Sequence, residues 1–85
     1  MRYAVRWVPV AEQELAAIWL ASTDREAVTR AAHQFDQQLQ TAPLGLGESR
    51  QSSVRRVAFR PPLAIEFEVI EDDKKVRVLA VARAL

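Results

Sequence analysis

The run Leu63-Ala64-Ile65-Glu66-Phe67-Glu68-Val69-Ile70 decides the fold. Leu63, Ile65, Phe67 and Val69 alternate with Ala64, Glu66 and Glu68, the period of two that a strand with one buried face requires. Glu71-Asp72-Asp73-Lys74 follows as a polar turn. Lys75 to Ala82 predicts the next strand, apolar on both faces apart from Arg77. Upstream, Val54 to Arg60 predicts a third strand, ended by Pro61-Pro62. Hydrophobic patterning faces Val57 and Phe59 inward, and Arg56, Ala58 and Arg60 outward. The three strands form a meander.

Earlier in the chain the period changes to that of a helix. From about Val10 to Ala21, the residues Ala11, Leu15, Ile18, Trp19 and Ser22 follow helical spacing. Pro9 suits the first turn, where its missing N–H is not needed. Glu12 and Glu14 fall near the positive end of the helix dipole. Thr23-Asp24-Arg25-Glu26 has the pattern of a capping box. It opens a helix from Asp24 to about Thr41, with the stripe Val28, Ala31, Ala32, Phe35, Leu39 and Ala42. The short connection makes the two helices an antiparallel hairpin. Pro43 to Ser49 holds both glycines and reads as a loop; it lacks the Lys-Ser/Thr ending of a phosphate-binding loop. Arg2 to Val8 alternates as a strand, and the most apolar free edge for it to join belongs to the last strand. The expected fold class is α+β: a two-layer β-α-α-β-β-β domain spanning residues 1–85, with the hairpin on one face of a mainly antiparallel sheet. The predicted core sets Leu15, Ile18, Trp19, Val28, Phe35 and Leu39 against Val5, Trp7, Phe59, Ile65, Phe67 and Val78.

Composition narrows the chemistry. The 85 residues are 49% hydrophobic and 27% charged, the balance of a soluble globule rather than a disordered chain. The absence of cysteine excludes disulfides, thiolate metal sites and a Cys nucleophile. His33 stands alone, so a multi-histidine zinc site is excluded, and no metal site or cofactor is expected. No apolar run reaches the ~18 residues of a membrane span. Charge in Met1-Arg2-Tyr3-Ala4-Val5-Arg6 is unlike a signal peptide, so the expected compartment is the cytoplasm. Residues 1–49 hold four basic against six acidic side chains, and residues 50–85 eight against five. The second half is therefore the place for an anionic partner. A domain this small buries only about 60% of its unfolded surface, so partner binding is a natural source of stability.

Trp7 and Pro9, then Ala11, Leu15, Ile18 and Trp19, form a strand ending Trp-x-Pro and a helix with Ala-x-x-x-Leu-x-x-Ile-Trp. With the Pro43, Leu44, Gly47, Glu48 loop and the closing meander, this order resembles the RelE/ParE toxin superfamily over nearly the whole chain. The resemblance implies a bacterial, cytoplasmic toxin, without cofactors, paired with an antitoxin in a type II toxin–antitoxin (plasmid-stabilisation) system. RelE-like members cut mRNA on the ribosome, and ParE-like members poison DNA gyrase.

Metal-free RNA cleavage by 2′-hydroxyl attack needs a base, a cation for the phosphorane and an acid for the leaving oxygen. The resemblance carries the cationic roles onto Arg56, Arg60 and Arg83 as candidate catalytic residues. It places Ala64 where the family has an arginine, and no His or Tyr follows Arg83. Glu66 and Glu68 are expected on the same outward face as Arg56, Arg60 and Arg77, where opposite charges pair. These departures favour a toxin that acts mainly by protein binding, ParE-like, with gyrase as the target. The alternatives are a ribosome-dependent mRNA endonuclease, and a degenerate member that only binds its antitoxin. The expected partner surface is the outward sheet face with Arg56, Arg60, Arg77, Leu79, Val81 and Arg83, covered by the antitoxin or by a second copy in a homodimer.

Overall fold

The computed structural model describes residues 2–45, 48–49 and 55–84. Strand β1 (Ala4–Trp7) is followed by helices α1 (Pro9–Ala21) and α2 (Arg25–Thr41). A 3-10 turn (Pro43–Gly45) leads to the two-residue strand β2 (Glu48–Ser49), then β3 (Arg55–Arg60), β4 (Leu63–Ile70) and β5 (Lys75–Arg83). The sheet order is β1-β5-β4-β3-β2. β1 runs parallel to β5, and the other pairings are antiparallel. The predicted α+β architecture is thus present, with the first strand beside the last. β2 is an addition within the stretch read as loop.

Pro9 occupies the first turn of α1, as its spacing predicts. The cap of α2 is Asp24 rather than Thr23: its carboxylate accepts from the Ala27 N–H at 3.1 Å. Arg25 closes the hairpin. Its guanidinium donates to the carbonyls of Trp19 and Leu20, both at 3.1 Å, and lies 4.6 Å above the Trp19 ring. These are the orphan carbonyls that end α1. On the other side of α2, Trp7 Nε1 donates to Asp36 and Gln40 Nε2 to the same carboxylate, tying β1 to the helix.

The core lies between the hairpin and one sheet face. Val28, Ala31, Phe35 and Leu39 of α2 meet Leu63, Ile65, Phe67, Val69, Val76, Val78 and Val81 of the sheet, all buried. Leu15, Ile18, Val5 and Trp7 are half-buried against them. Two expected core residues are not there. Trp19 is exposed at the hairpin surface, and Phe59 is 70% exposed.

Phe59 reveals a strand whose facing is the reverse of its hydrophobic pattern. β3 pairs with β4 so that Arg60 is opposite Leu63, Ala58 opposite Ile65 and Arg56 opposite Phe67. Directly opposed residues share a face. Arg56, Ala58 and Arg60 therefore lie on the inner, helix-bearing face, and Val57 and Phe59 on the outer one. A second reversal occurs in β5. A bulge at Leu79 shifts the register, so that Phe67 is opposite Val78 but Glu66 is opposite Ala80. Two residues then oppose one, and the side-chain alternation inverts. Val76 and Val78 face inward before the bulge; Val81 and Arg83 face inward after it.

Candidate functional site

The inner face is not apolar throughout. Reading across β3, β4 and β5, one row is Arg60–Leu63–Arg83, the next Ala58–Ile65–Val81, and the third Arg56–Phe67–Val78. Adjacent strands are about 4.8 Å apart, so Arg60 and Arg83 stand about 10 Å apart with Leu63 between them. The structure brings the three candidate cations, Arg56, Arg60 and Arg83, onto one face. This is the opposite face from the one their alternation suggests.

Each arginine is held differently. Arg60 is half-buried, its guanidinium 6.0 Å from the Phe35 ring centre, and its Nε is buried without a hydrogen-bond partner among the described residues. The stem packs on the core while the head reaches its edge, as long cationic side chains do. It also borders a polar groove of about 530 Å³ lined by Arg2 and by His33, Gln34, Asp36 and Gln37 of α2. Arg56 is half-buried on the same face, and Arg83 is exposed at the end of β5.

The carboxylates expected to neutralise them lie across the sheet. Glu66 and Glu68 are on the outer face, where Glu66 pairs with Arg55 at 3.7 Å and Glu68 with Arg77. The expected partner surface therefore divides. Arg77 belongs to the outer face and is paired there. Leu79 sits in the bulge, half-buried. Val81 is buried in the core and is no surface anchor. Ala64, the position that the resemblance gives to an arginine, lies outward between Phe59 and Ala82. Its inner neighbour in the strand is Leu63, so the centre of the arginine row is apolar.

Sequence reasoning missed the facing of Arg56 and Arg60, although a signal was present. Only Pro61 and Pro62 separate β3 from β4. A two-residue connection sets Arg60 opposite Leu63, and Leu63 is inward. It also missed a second surface. An apolar groove of about 730 Å³ runs between the helices, walled by Trp7, Leu15, Trp19, Leu20, Val28 and Ala32.

The arrangement supplies fixed positive charge and forked donors suited to phosphate or carboxylate oxygens. Arginine does not titrate near neutrality, so these three residues provide charge stabilisation and orientation but no general base. Among the described residues no group of three or more His, Cys, Asp or Glu is placed to hold a metal, and no helix is long and apolar enough to cross a membrane.

No protein-family model matches the sequence, and no curated protein matches it significantly. Solved structures share its fold. A chain of the toxin–antitoxin complex RelBE2 from Mycobacterium tuberculosis superposes with a TM-score of 0.79 at 19% identity, covering 99% of this chain and 100% of that one. The isolated RelE toxin of E. coli gives a TM-score of 0.70 at 19% identity, covering 98% and 85%. The chromosomal ParDE system of P. aeruginosa gives 0.65 at 22% identity, covering 98% and 97%. The chain has the fold of the RelE/ParE toxins, as its N-terminal and loop motifs predict.

Proposed function

We propose that this protein is the toxin of a type II toxin–antitoxin pair, and that it acts by binding an anionic surface of its target through the inner-face arginines. One observation carries the reading: Arg60 and Arg83 flank Leu63 on one face, while the carboxylates Glu66 and Glu68 are engaged on the other. Neither arginine forms an ion pair among the described residues, and two cations so placed strengthen the local field for phosphate or carboxylate groups. The fold shared with RelE and ParE supports the toxin reading. A cognate antitoxin is the expected partner, and covering this face is the direct way for it to silence the protein.

Binding without cleavage fits the site best. The arginine row offers charge to an oxyanion but no base for a 2′-hydroxyl. DNA gyrase, the target of ParE-like toxins, suits such a mode. Cleavage of ribosome-bound mRNA is the second reading, favoured by the freedom of Arg60 and Arg83 from the outer carboxylates. In it Arg56, Arg60 and Arg83 stabilise the phosphorane, and a group outside this row takes the proton.

Inducing the protein in bacteria while following growth, plasmid supercoiling and translation separately tests the proposal. Growth arrest with altered supercoiling and intact mRNA is expected. Cleaved mRNA at arrest selects the second reading, and undisturbed growth removes the toxin assignment.

A further inference from the structure

Glu14 sits where an apolar residue is expected. It shares the sheet-facing side of α1 with Ala11, Leu15 and Ile18, at spacings of three, four and seven. Its carboxylate is half-buried, and Glu14 Oε1 accepts the backbone N–H of Val81 at 2.9 Å.

The bond answers a gap in the sheet. β1 accompanies β5 only as far as Trp7 opposite Val78. Val8 N–H then donates to the Val78 carbonyl at 3.0 Å, and Pro9 turns the chain into α1. From Leu79 onward, the edge of β5 on that side has no strand beside it among the described residues. The N–H of Val81 points to this open edge, and Glu14 reaches down from the departing helix to satisfy it.

The same bond selects a register. Shifting a strand by one residue turns every side chain to the other face and every N–H to the other edge. The Val81 N–H meets Glu14 only with the bulge at Leu79 in place. Without the bulge, positions 77, 79, 81 and 83 would share one face, and Arg83 would join Arg77 on the outer side, away from Arg60.

We propose that Glu14 is a positioning residue that locks the bulged register of β5 and so places Arg83 on the inner face beside Arg60. The proposal rests on the reading that these arginines bind an anionic partner. Its structural half is measurable without that partner.

Two conservative variants separate reach from charge. Glu14→Asp keeps the charge but withdraws the carboxylate by about one C–C bond, ~1.5 Å. Glu14→Gln removes the charge but keeps an acceptor oxygen at the same reach. The readouts are hydrogen exchange of the Val81 amide, the nuclear Overhauser contact between Val81 and Ile65 methyls, and binding of a labelled single-stranded RNA oligonucleotide over a salt series. In E14D the Val81 amide is expected to exchange about tenfold faster, RNA affinity to fall about tenfold to that of R83A, and the salt slope to drop by about one phosphate contact. E14D combined with R83A is expected to bind no worse than R83A alone. E14Q is expected to keep the Val81 protection, the Val81–Ile65 contact and the full salt slope. Unchanged Val81 protection in E14D, loss of it in E14Q, or additive losses in the double variant overturn the proposal. If the parent binds no RNA, the anionic-partner reading fails for this probe, and the exchange and methyl-contact measurements still decide the role of Glu14.

Discussion

Arg77 and Glu68 face one another across β5 and β4 on the uncovered side of the sheet, with Arg77 Nε 2.7 Å from a Glu68 oxygen. Arg55 and Glu66 repeat the motif one strand over. On the outer face each of these two arginines thus has a carboxylate partner, whereas Arg60 and Arg83 form no ion pair among the described residues. Replacing Arg77 with Ala is expected to change stability by about 0–1 kcal/mol, as for an exposed pair. It should leave polyanion binding and its salt dependence as in the parent. A drop in salt slope for R77A, measured by fluorescence anisotropy, would place the binding surface on the wrong side of the sheet in our account.

Arg60 and Arg83 are expected to behave as separate phosphate contacts. Each Arg→Ala change should lower the salt slope of RNA binding by about one, and the double change by about two. Circular dichroism should show the fold intact for R83A, whose side chain is exposed. A double variant with the parent slope removes both residues from the binding surface.

The two phenylalanines Phe59 and Phe67 test the facing of the strands. Phe67 is fully buried, and Phe67→Ala should destabilise by about 3–5 kcal/mol. Phe59 is exposed, and Phe59→Ala should stay within about 0.5 kcal/mol. Urea midpoints of the two variants provide the comparison. Equal losses would mean that β3 faces as its hydrophobic pattern suggests.

The start of β1 is clamped by charge. Tyr3 donates its hydroxyl to Glu71 at 2.7 Å, Lys74 pairs with the same carboxylate, and Lys74 Nζ lies 5.2 Å from the Tyr3 ring centre. Lys74, then Tyr3, hold the Glu71 carboxyl below its ordinary 4.5, and Glu71 holds the Lys74 ammonium above its ordinary 10.5. The hydrogen bond to Glu71 also raises the Tyr3 hydroxyl from 10.0. A depressed carboxylate stabilises above its ordinary value and stops doing so as pH falls through its folded value. The raised groups stabilise below their ordinary values and stop doing so as pH rises through their folded ones. The clamp therefore acts fully from about pH 5 to about pH 9.5. In urea titrations, Glu71→Gln should differ from the parent near neutrality and converge with it as pH falls below 4.5 and through the depressed folded value of the Glu71 carboxyl. A gap that persists in acid means the clamp is not ionic.

Periodicity exposed most of the architecture. The alternation from Leu63 to Val69 and the stripe Val28–Phe35–Leu39 each describe a surface buried on one side, and burial is what binary patterning records. Arg56 and Arg60 escaped because their apolar stems occupy inward positions near the sheet margin, where hydrophobicity assigns the face to Val57 and Phe59. Arg83 escaped because a single extra residue, Leu79, inverts the alternation, and nothing in Val78-Leu79-Ala80-Val81 marks where the bulge falls. Spacing alone assigns Trp19 to the core. Its ring instead lies at the hairpin surface under the Arg25 guanidinium. The Asp24 cap displaced Thr23 because both residues suit the position, and only backbone geometry chooses between them.

The placement of β5 has a consequence for how the protein is made. β5 is next to the margin in space but follows the other described elements in the order of synthesis. It supplies the partner of β1, the second edge of β4, the N–H that Glu14 holds and Arg83 itself. While residues 75–83 are still inside the ribosome, the hairpin can form locally, but β1 has no neighbour and the inner face lacks one of its arginines. The working surface thus assembles in one late step rather than by degrees. An anionic partner thus meets the paired arginines only after β5 has emerged and docked between β1 and β4.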